Sequence, residues 1–149
     1  MRQITIHSGM RGFVMLDRIH DISPRGITAG LRLAKAPLFA GIEALAQAGA
    51  LHTRFINNFS RHAFLLKVRS CTLPTAPRLD GDFLIRGALT GQSASSCSYN
   101  LALEKDGRAV VEGGFLIATV EYDSRFKMDV LETRYRKVFS CLQTGIKPG

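Results

Sequence analysis

The segment Pro37–Phe55, PLFAGIEALAQAGALHTRF, decides the fold. It begins with a proline, which suits the first position of a helix, and it is rich in alanine and leucine, which are strong helix formers. Its apolar residues would lie on almost every side of that helix, which is typical of a helix enclosed by other structure. The polar exceptions Glu43 and Gln47 are four residues apart and therefore share one face.

Most of the remaining sequence predicts β-strands. Ile27–Ala34 and Cys97–Glu104 have apolar side chains at alternate positions, as strands with one buried face do. Asp106-Gly107 favours a hairpin turn, and Gly113-Gly114 predicts a bulge or a bend in a curved sheet. Further strands are predicted at Phe13–Ile22, His62–Thr72, Asp82–Thr90 and Phe115–Tyr122. One buried helix with several antiparallel strands predicts an α+β domain whose sheet wraps around that helix.

The end of the chain has a different pattern. Apolar residues spaced by three and four positions predict an amphipathic helix there: Met128, Leu131, Tyr135, Val138 and Leu142. Residues 124–149 also contain six basic and two acidic side chains. We therefore predict a domain over residues 1–123 followed by a basic, helical extension over residues 124–149.

Composition limits the class of protein. The chain has 149 residues, of which 46% are hydrophobic and 21% charged, and this excludes a disordered chain and suits one domain. Its net charge of +8 predicts attraction to an acidic partner. Basic residues are not interleaved with aromatic ones, so nucleic-acid binding is not predicted. No apolar run approaches the ~20 residues that span a bilayer. The first residues lack the apolar core of a secretory signal, and we expect a cytoplasmic protein.

Candidate chemistry centres on Glu43. A carboxylate inside a buried helix can act as a general acid or base, although a purely structural role near the positive end of the helix dipole is an equal alternative. Gln47, one turn later, can orient a substrate or simply make a core hydrogen bond. The free backbone N–H groups at the helix start can polarise a carbonyl oxygen. The four histidines and three cysteines show no metal-ligand spacing, so neither a metal nor a cofactor is predicted.

Three stretches of this sequence resemble one known family. Gly41–Ala48 resembles the central-helix motif of the FabA/FabZ-type β-hydroxyacyl-ACP dehydratases. Phe13–Ile19 resembles the first strand of that family, and Leu79–Asp82 lies where the family has a turn into a long strand. The order and spacing of these stretches agree over roughly residues 7–122. The resemblance implies a hotdog fold, in which a curved antiparallel sheet surrounds one central helix.

The sequence also departs from that family. A typical member has a catalytic histidine followed by Phe-Pro-Gly shortly before the helix. Here no histidine lies between His20 and Glu43, and Ala36–Ala40 leads almost directly into the helix. The chain is more similar to a divergent branch of predicted 3-hydroxyacyl-ACP dehydratases associated with aryl-polyene or polyketide-type synthesis.

The resemblance implies dehydration of a 3-hydroxyacyl-ACP to a trans-2-enoyl-ACP, with Glu43 as one catalytic residue. We hypothesise that His7 takes the place of the missing catalytic histidine. Gln47 and the start of the helix, namely Phe39, Ala40 and Gly41, would bind the substrate. The implied partners are an acyl carrier protein and a second hotdog subunit, identical or different. Two alternatives remain open. The chain can be a catalytically degenerate subunit that supports a partner dehydratase, or it can hydrolyse acyl thioesters.

Overall fold

A computed structural model describes residues 14–123 and 126–145. These residues form six strands and two helices. The elements in chain order are β1 Arg18–Ser23, β2 Gly26–Pro37, α1 Leu38–Ile56, β3 His62–Thr72, β4 Arg78–Gln92, β5 Ser96–Lys105, β6 Arg108–Val120 and α2 Met128–Thr144.

The six strands make one antiparallel sheet in the order β1-β2-β4-β5-β6-β3. Helix α1 packs against the five strands β2 to β6, so the sheet curves around it. The inward-facing residues of the strands and most of α1 form a single hydrophobic core. The α+β fold expected from the sequence, with a sheet wrapped around a central helix, is confirmed.

Helix α1 lies close to the sheet because its residues there are small. A Cβ atom at Gly41 would come within 2.9 Å of Leu79 Cδ1 and 3.2 Å of Leu103 Cδ2. Pro37 is the N-cap residue of α1 and not its first helical residue, because it still pairs with Arg78 in the sheet. The helix predicted over Pro37–Phe55 is therefore present, but it begins one residue later, at Leu38.

Two predicted strand features are modified by the structure. The segment expected as a strand over Phe13–Ile22 becomes regular only at Arg18, and its first residue lies outside the described ones. The bulges expected at Gly113-Gly114 lie in the paired strand β3, where the register shifts between Leu65 and Lys67 and again between Val68 and Ser70. A glycine is needed at position 113 because a side chain there would overlap the backbone of β3.

Helix α2 confirms the pattern read at the end of the chain. It buries Leu131, Val138 and Leu142 against the domain, and Phe139 stacks on Phe55 of α1 with 5.5 Å between ring centroids. Met128, expected on the same apolar face, is exposed because it begins the helix beyond the edge of the core. The proposed boundary between residues 123 and 124 stays a prediction.

Candidate functional site

Glu43 is a buried carboxylate in the second turn of α1. Its residue is only 6% exposed. The helix begins at Leu38, and its first turn contains no acidic residue. Stabilisation by the helix dipole falls off within the first turn, so that structural explanation does not account for a carboxylate at this position.

Gln47 lies one turn further along the same face and binds the segment of residues 14–17 that precedes β1. Its Oε1 accepts a hydrogen bond of 2.9 Å from the backbone N–H of Met15. The same segment is tied to β2 by Asp17, whose N–H donates to Gly30 O at 2.9 Å and whose Oδ2 accepts from Arg32 N–H at 2.7 Å. The alternative that Gln47 makes a core hydrogen bond is therefore confirmed, and substrate binding by Gln47 stays a prediction.

The first turn of α1 combines burial with backbone donors. Phe39 is half-buried, whereas Ala40 and Gly41 are buried. The first N–H groups of a helix have no partner within the helix, and Pro37 provides no side-chain cap. The N–H groups of Leu38 to Ala40 are therefore the ones that suit a carbonyl ligand. Gly41 comes where hydrogen bonding within the helix starts, and its contribution is close packing on the sheet.

Two of the three described histidines are held by hydrogen bonds to groups other than Glu43. His20 is exposed on β1, His52 bonds to Tyr99 and to the backbone of Ser23, and His62 bonds to Arg54. His7, the predicted catalytic partner of Glu43, lies outside the described residues. Its role therefore stays a prediction.

No protein-family model matches this sequence, and no curated protein matches it. Solved structures do match. A chain of the dehydratase heterocomplex ApeI:P from Xenorhabdus doucetiae is 15% identical, with 83% of this chain and 90% of that chain covered and a TM-score of 0.66. A mutant of thioesterase PA1618 from Pseudomonas aeruginosa is 15% identical, with 70% and 81% covered and a TM-score of 0.60. The chain has the hotdog fold.

A third hotdog neighbour is a hypothetical thioesterase from Streptococcus pneumoniae, whose structure was determined with coenzyme A. It is 15% identical, with 72% of this chain and 88% of that chain covered and a TM-score of 0.56. At such identities the likeness establishes the fold, and the chemistry has to be argued from the residues of this chain.

A buried hydrogen-bond network joins α1 of the hotdog domain to β5 and to the end of β1. His52 Nδ1 lies 2.7 Å from the Tyr99 hydroxyl, and His52 Nε2 lies 2.7 Å from Ser23 O. A neutral imidazole that donates through Nε2 to Ser23 O accepts through Nδ1 from Tyr99. Burial lowers the pKa of His52, although the hydrogen bond to Ser23 acts in the opposite direction. Burial therefore favours the neutral ring, and the network ties α1 to β5 and to the end of β1.

A second buried group was missed by the sequence reasoning. Arg54 is 2% exposed near the end of α1, and its Nη2 is 2.8 Å from His62 Nδ1 and 3.0 Å from Ala63 O. Its guanidinium lies 3.7 Å from the centroid of the Tyr135 ring on α2. Arg54 lies seven positions after Gln47 and eleven after Glu43, so all three residues share one face of the helix. That spacing was the signal in the sequence that could have identified Arg54.

The hotdog domain is expected to lose stability in acid, because burial lowers the pKa values of His52 and His62. Burial, followed by the charge of Arg54, lowers the pKa of His62 from 6.5 to about 4, against a raising effect of Asp123. Between these values the unfolded chain binds a proton that the folded chain excludes, so stability is complete above the unfolded pKa and falls with pH. We expect His62 to contribute on the order of 2 kcal/mol of this loss between about pH 7 and about pH 4.5.

Urea unfolding across this pH range measures that contribution. His62→Gln should flatten the dependence of unfolding free energy on pH, whereas His20→Gln, at an exposed site, should leave it as in the parent chain. Equal pH dependence in the parent and in His62→Gln would show that His62 carries no part of the acid sensitivity.

The described part of this hotdog chain offers no site for a metal ion. Within residues 14–123 and 126–145, no three His, Cys, Asp or Glu side chains are grouped as metal ligands. None of the described helices is long and apolar enough to cross a membrane.

Proposed function

We propose that this hotdog protein binds acyl thioesters and dehydrates 3-hydroxyacyl-ACP to trans-2-enoyl-ACP, as a divergent relative of the FabA/FabZ-type dehydratases. The observation that carries the proposal is the burial of Glu43 on a helix whose other buried residues near it are apolar. A carboxylate in such an apolar environment is suited to giving or taking a proton as a general acid or base.

The reaction needs two titratable groups. A base removes the proton on the carbon next to the thioester carbonyl, and an acid protonates the hydroxyl on the following carbon. The C–O bond then breaks, water leaves and a C=C bond forms. Glu43 and His7 are the proposed pair, and general acid–base catalysis of this kind contributes about 10²–10⁴-fold to a rate.

The start of α1 provides the third component. Negative charge develops on the thioester oxygen when the neighbouring proton is removed, and backbone N–H groups stabilise such charge. Leu38, Phe39 and Ala40 present the first N–H groups of the helix, about one turn before Glu43. A thioester carbonyl bound there places its reacting carbons alongside the Glu43 face.

Basic side chains flank this end of the helix. Lys35 is exposed two residues before the Pro37 cap, and Arg78 is exposed and paired with Pro37 across the sheet. An acyl carrier protein is acidic, and the net charge of +8 favours its approach. We therefore propose a carrier-protein thioester, docked at this edge, as the substrate.

Carrier binding should weaken as salt rises, because screening shortens to ~8 Å at physiological ionic strength. Charge reversal in Lys35→Glu with Arg78→Glu should weaken binding about tenfold at low salt. Lys137→Glu, at an exposed position on α2, is the matched control and should change binding little. Calorimetric titration of the acyl carrier protein at two salt concentrations measures both effects. Affinity that is indifferent to salt and to the paired reversal would argue against this docking edge.

A second hotdog subunit has a natural place at the free edge of the sheet. In the described residues β3 is the last strand and pairs only with β6. Unpaired backbone groups on such an edge accept another strand, and Leu66 on β3 is 57% exposed. We propose that β3 joins two subunits, identical or different, as the dehydratase heterocomplex among the neighbours is itself an assembly.

Thioester hydrolysis is the second candidate. Two of the neighbours described above are called thioesterases, and a buried carboxylate such as Glu43 can also activate water. A degenerate subunit that binds acyl thioesters and supports a partner dehydratase is consistent with the absence of a histidine between His20 and Glu43.

Product analysis separates these candidates. The purified chain is incubated with a 3-hydroxyacyl thioester of an acyl carrier protein, and the acyl group is weighed by mass spectrometry while free thiol is measured. Dehydration predicts loss of the mass of one water with the thioester intact. Release of free thiol would instead support hydrolysis, and binding without either product would support the degenerate subunit.

A further inference from the structure

The buried guanidinium of Arg54 is only partly satisfied. Its Nη2 is held by His62 Nδ1 and Ala63 O, and its plane lies against the Tyr135 ring. Its Nη1 is buried and has no hydrogen-bond partner among the described residues, although the side chains of Tyr122 and Tyr135 interact favourably with the guanidinium. Nearly all buried polar atoms in proteins are paired, so an orphaned donor on a charged group calls for an explanation such as a missing ligand.

The positive charge of Arg54 has no carboxylate counter-charge in the part of the chain that the structure describes. Burial lowers the pKa of Arg54, although Tyr135 and Tyr122 oppose the shift, and arginine stays protonated in proteins. Removing an ion from water without a counter-charge is unfavourable, and a bound anion would offset that cost.

A cavity lies beside this group. It has a volume of about 50 Å³, is partly open to the surface, and is lined by residues of α1, α2, the segment before β1 and the start of β3. Its polar or aromatic lining residues are Gln47, Arg54, Arg134 and Tyr135, and the others are valine, leucine and alanine. An apolar cavity of ~150 Å³ holds one benzene molecule, so this one suits a ligand of only a few heavy atoms.

Charge and lining together select the ligand. The guanidinium favours an anion, and the two oxygens of a carboxylate match its geometry. The valine and leucine walls disfavour sulfate and phosphate, which would have to give up strong hydration, and favour a short hydrocarbon tail. The small volume favours short acyl chains over long fatty acids and nucleotides.

We propose that the cavity between α1 and α2 binds a short-chain carboxylate of about two to four carbons, with its oxygens on Arg54 Nη1 and its tail against Leu51 and Leu142. Gln47, a predicted substrate-binding residue, also lines this cavity, but binding of a free carboxylate there does not depend on the reaction proposed at Glu43. Because both helices contribute to its walls, ligand binding would also tighten the packing of α2 on the domain.

Calorimetry and thermal unfolding of the full chain test the proposal. Acetate, propionate, butyrate and octanoate are compared with chloride and sulfate at constant ionic strength. Propionate or butyrate should bind and raise the unfolding temperature, octanoate and sulfate should not, and chloride should bind at least about tenfold more weakly. Arg54→Met should abolish the effect, whereas Arg136→Gln, on the exposed side of α2, should retain it.

A second variant tests the cavity without replacing Arg54, because Arg54→Met can disturb folding at this buried position. Ala50→Leu keeps the guanidinium but fills part of the cavity, because Ala50 is one of its lining residues. It should weaken butyrate binding about tenfold or more. Unchanged binding in Ala50→Leu, equal binding of chloride and propionate, or no carboxylate binding by the parent chain would each overturn the proposal.

Discussion

Replacing Glu43 with glutamine is expected to lower turnover of a 3-hydroxyacyl thioester by ~10²-fold or more while leaving the fold intact. The amide has the same shape as the carboxylate, so packing around this buried position is preserved. It neither takes up nor releases a proton near neutral pH, so acid–base catalysis is lost. Steady-state rates of the two proteins, compared at equal concentration and with thermal unfolding as the check on folding, measure the effect.

Glu112→Gln is the matched control for this experiment. Glu112 is exposed on β6, so the same chemical change there should alter turnover by less than about twofold. His7→Ala should reduce turnover by ~10²-fold or more if His7 is the second titratable group. Full activity in Glu43→Gln would remove the proposed catalytic role of Glu43, and full activity in His7→Ala would remove that of His7 alone.

Replacing Gly113 with alanine is expected to have the largest effect on stability. A Cβ atom at this position would overlap the carbonyl oxygen of Ser70, which belongs to the backbone of the neighbouring strand β3. Neither strand can yield without lengthening the hydrogen bonds that pair them. We expect a loss of about 2–4 kcal/mol in the free energy of unfolding, measured by urea denaturation.

The next residue provides the control. A Cβ at Gly114 would have its nearest neighbour, Arg69 Cβ, at 3.7 Å, which is ordinary contact. Gly114→Ala should therefore change stability by less than about 1 kcal/mol. Similar losses in the two variants would mean that the glycines are needed for flexibility of β6 and not for the close approach of β3.

The central helix and most strands could be predicted because their signals are local. The segment Pro37–Phe55 is almost wholly apolar and is therefore stable only when buried. The apolar residues at alternate positions of Cys97–Glu104 predict a half-buried strand. The hairpin turn at Asp106 and Gly107 was likewise predictable, since both residues adopt positive φ angles there. The Gly113-Gly114 signal indicated an irregularity in this part of the sheet, but the extra residues lie in the paired strand β3, because the glycines allow its close approach.

The buried polar groups could not be predicted, because their partners are distant in sequence. His52 meets Tyr99 across 47 positions, and Gln47 meets Met15 across 32. A pattern within α1 shows that Arg54 shares a face with Gln47, but only the structure brings Tyr135 of α2 against it. Glu43 could be singled out from the sequence as the acidic residue of this apolar helix, and the structure adds its burial and its position beyond the first turn.

Isotope transfer during the reverse reaction tests the central proposal most directly. The parent chain and Glu43→Gln are each given a trans-2-enoyl thioester of an acyl carrier protein in deuterium oxide. Hydration by the proposed mechanism adds one deuteron to the carbon next to the carbonyl, and mass spectrometry detects it in the 3-hydroxyacyl product. We predict that the parent chain forms this labelled product and that Glu43→Gln does not. Equal labelling by both proteins, or no hydration by the parent chain, would contradict the account.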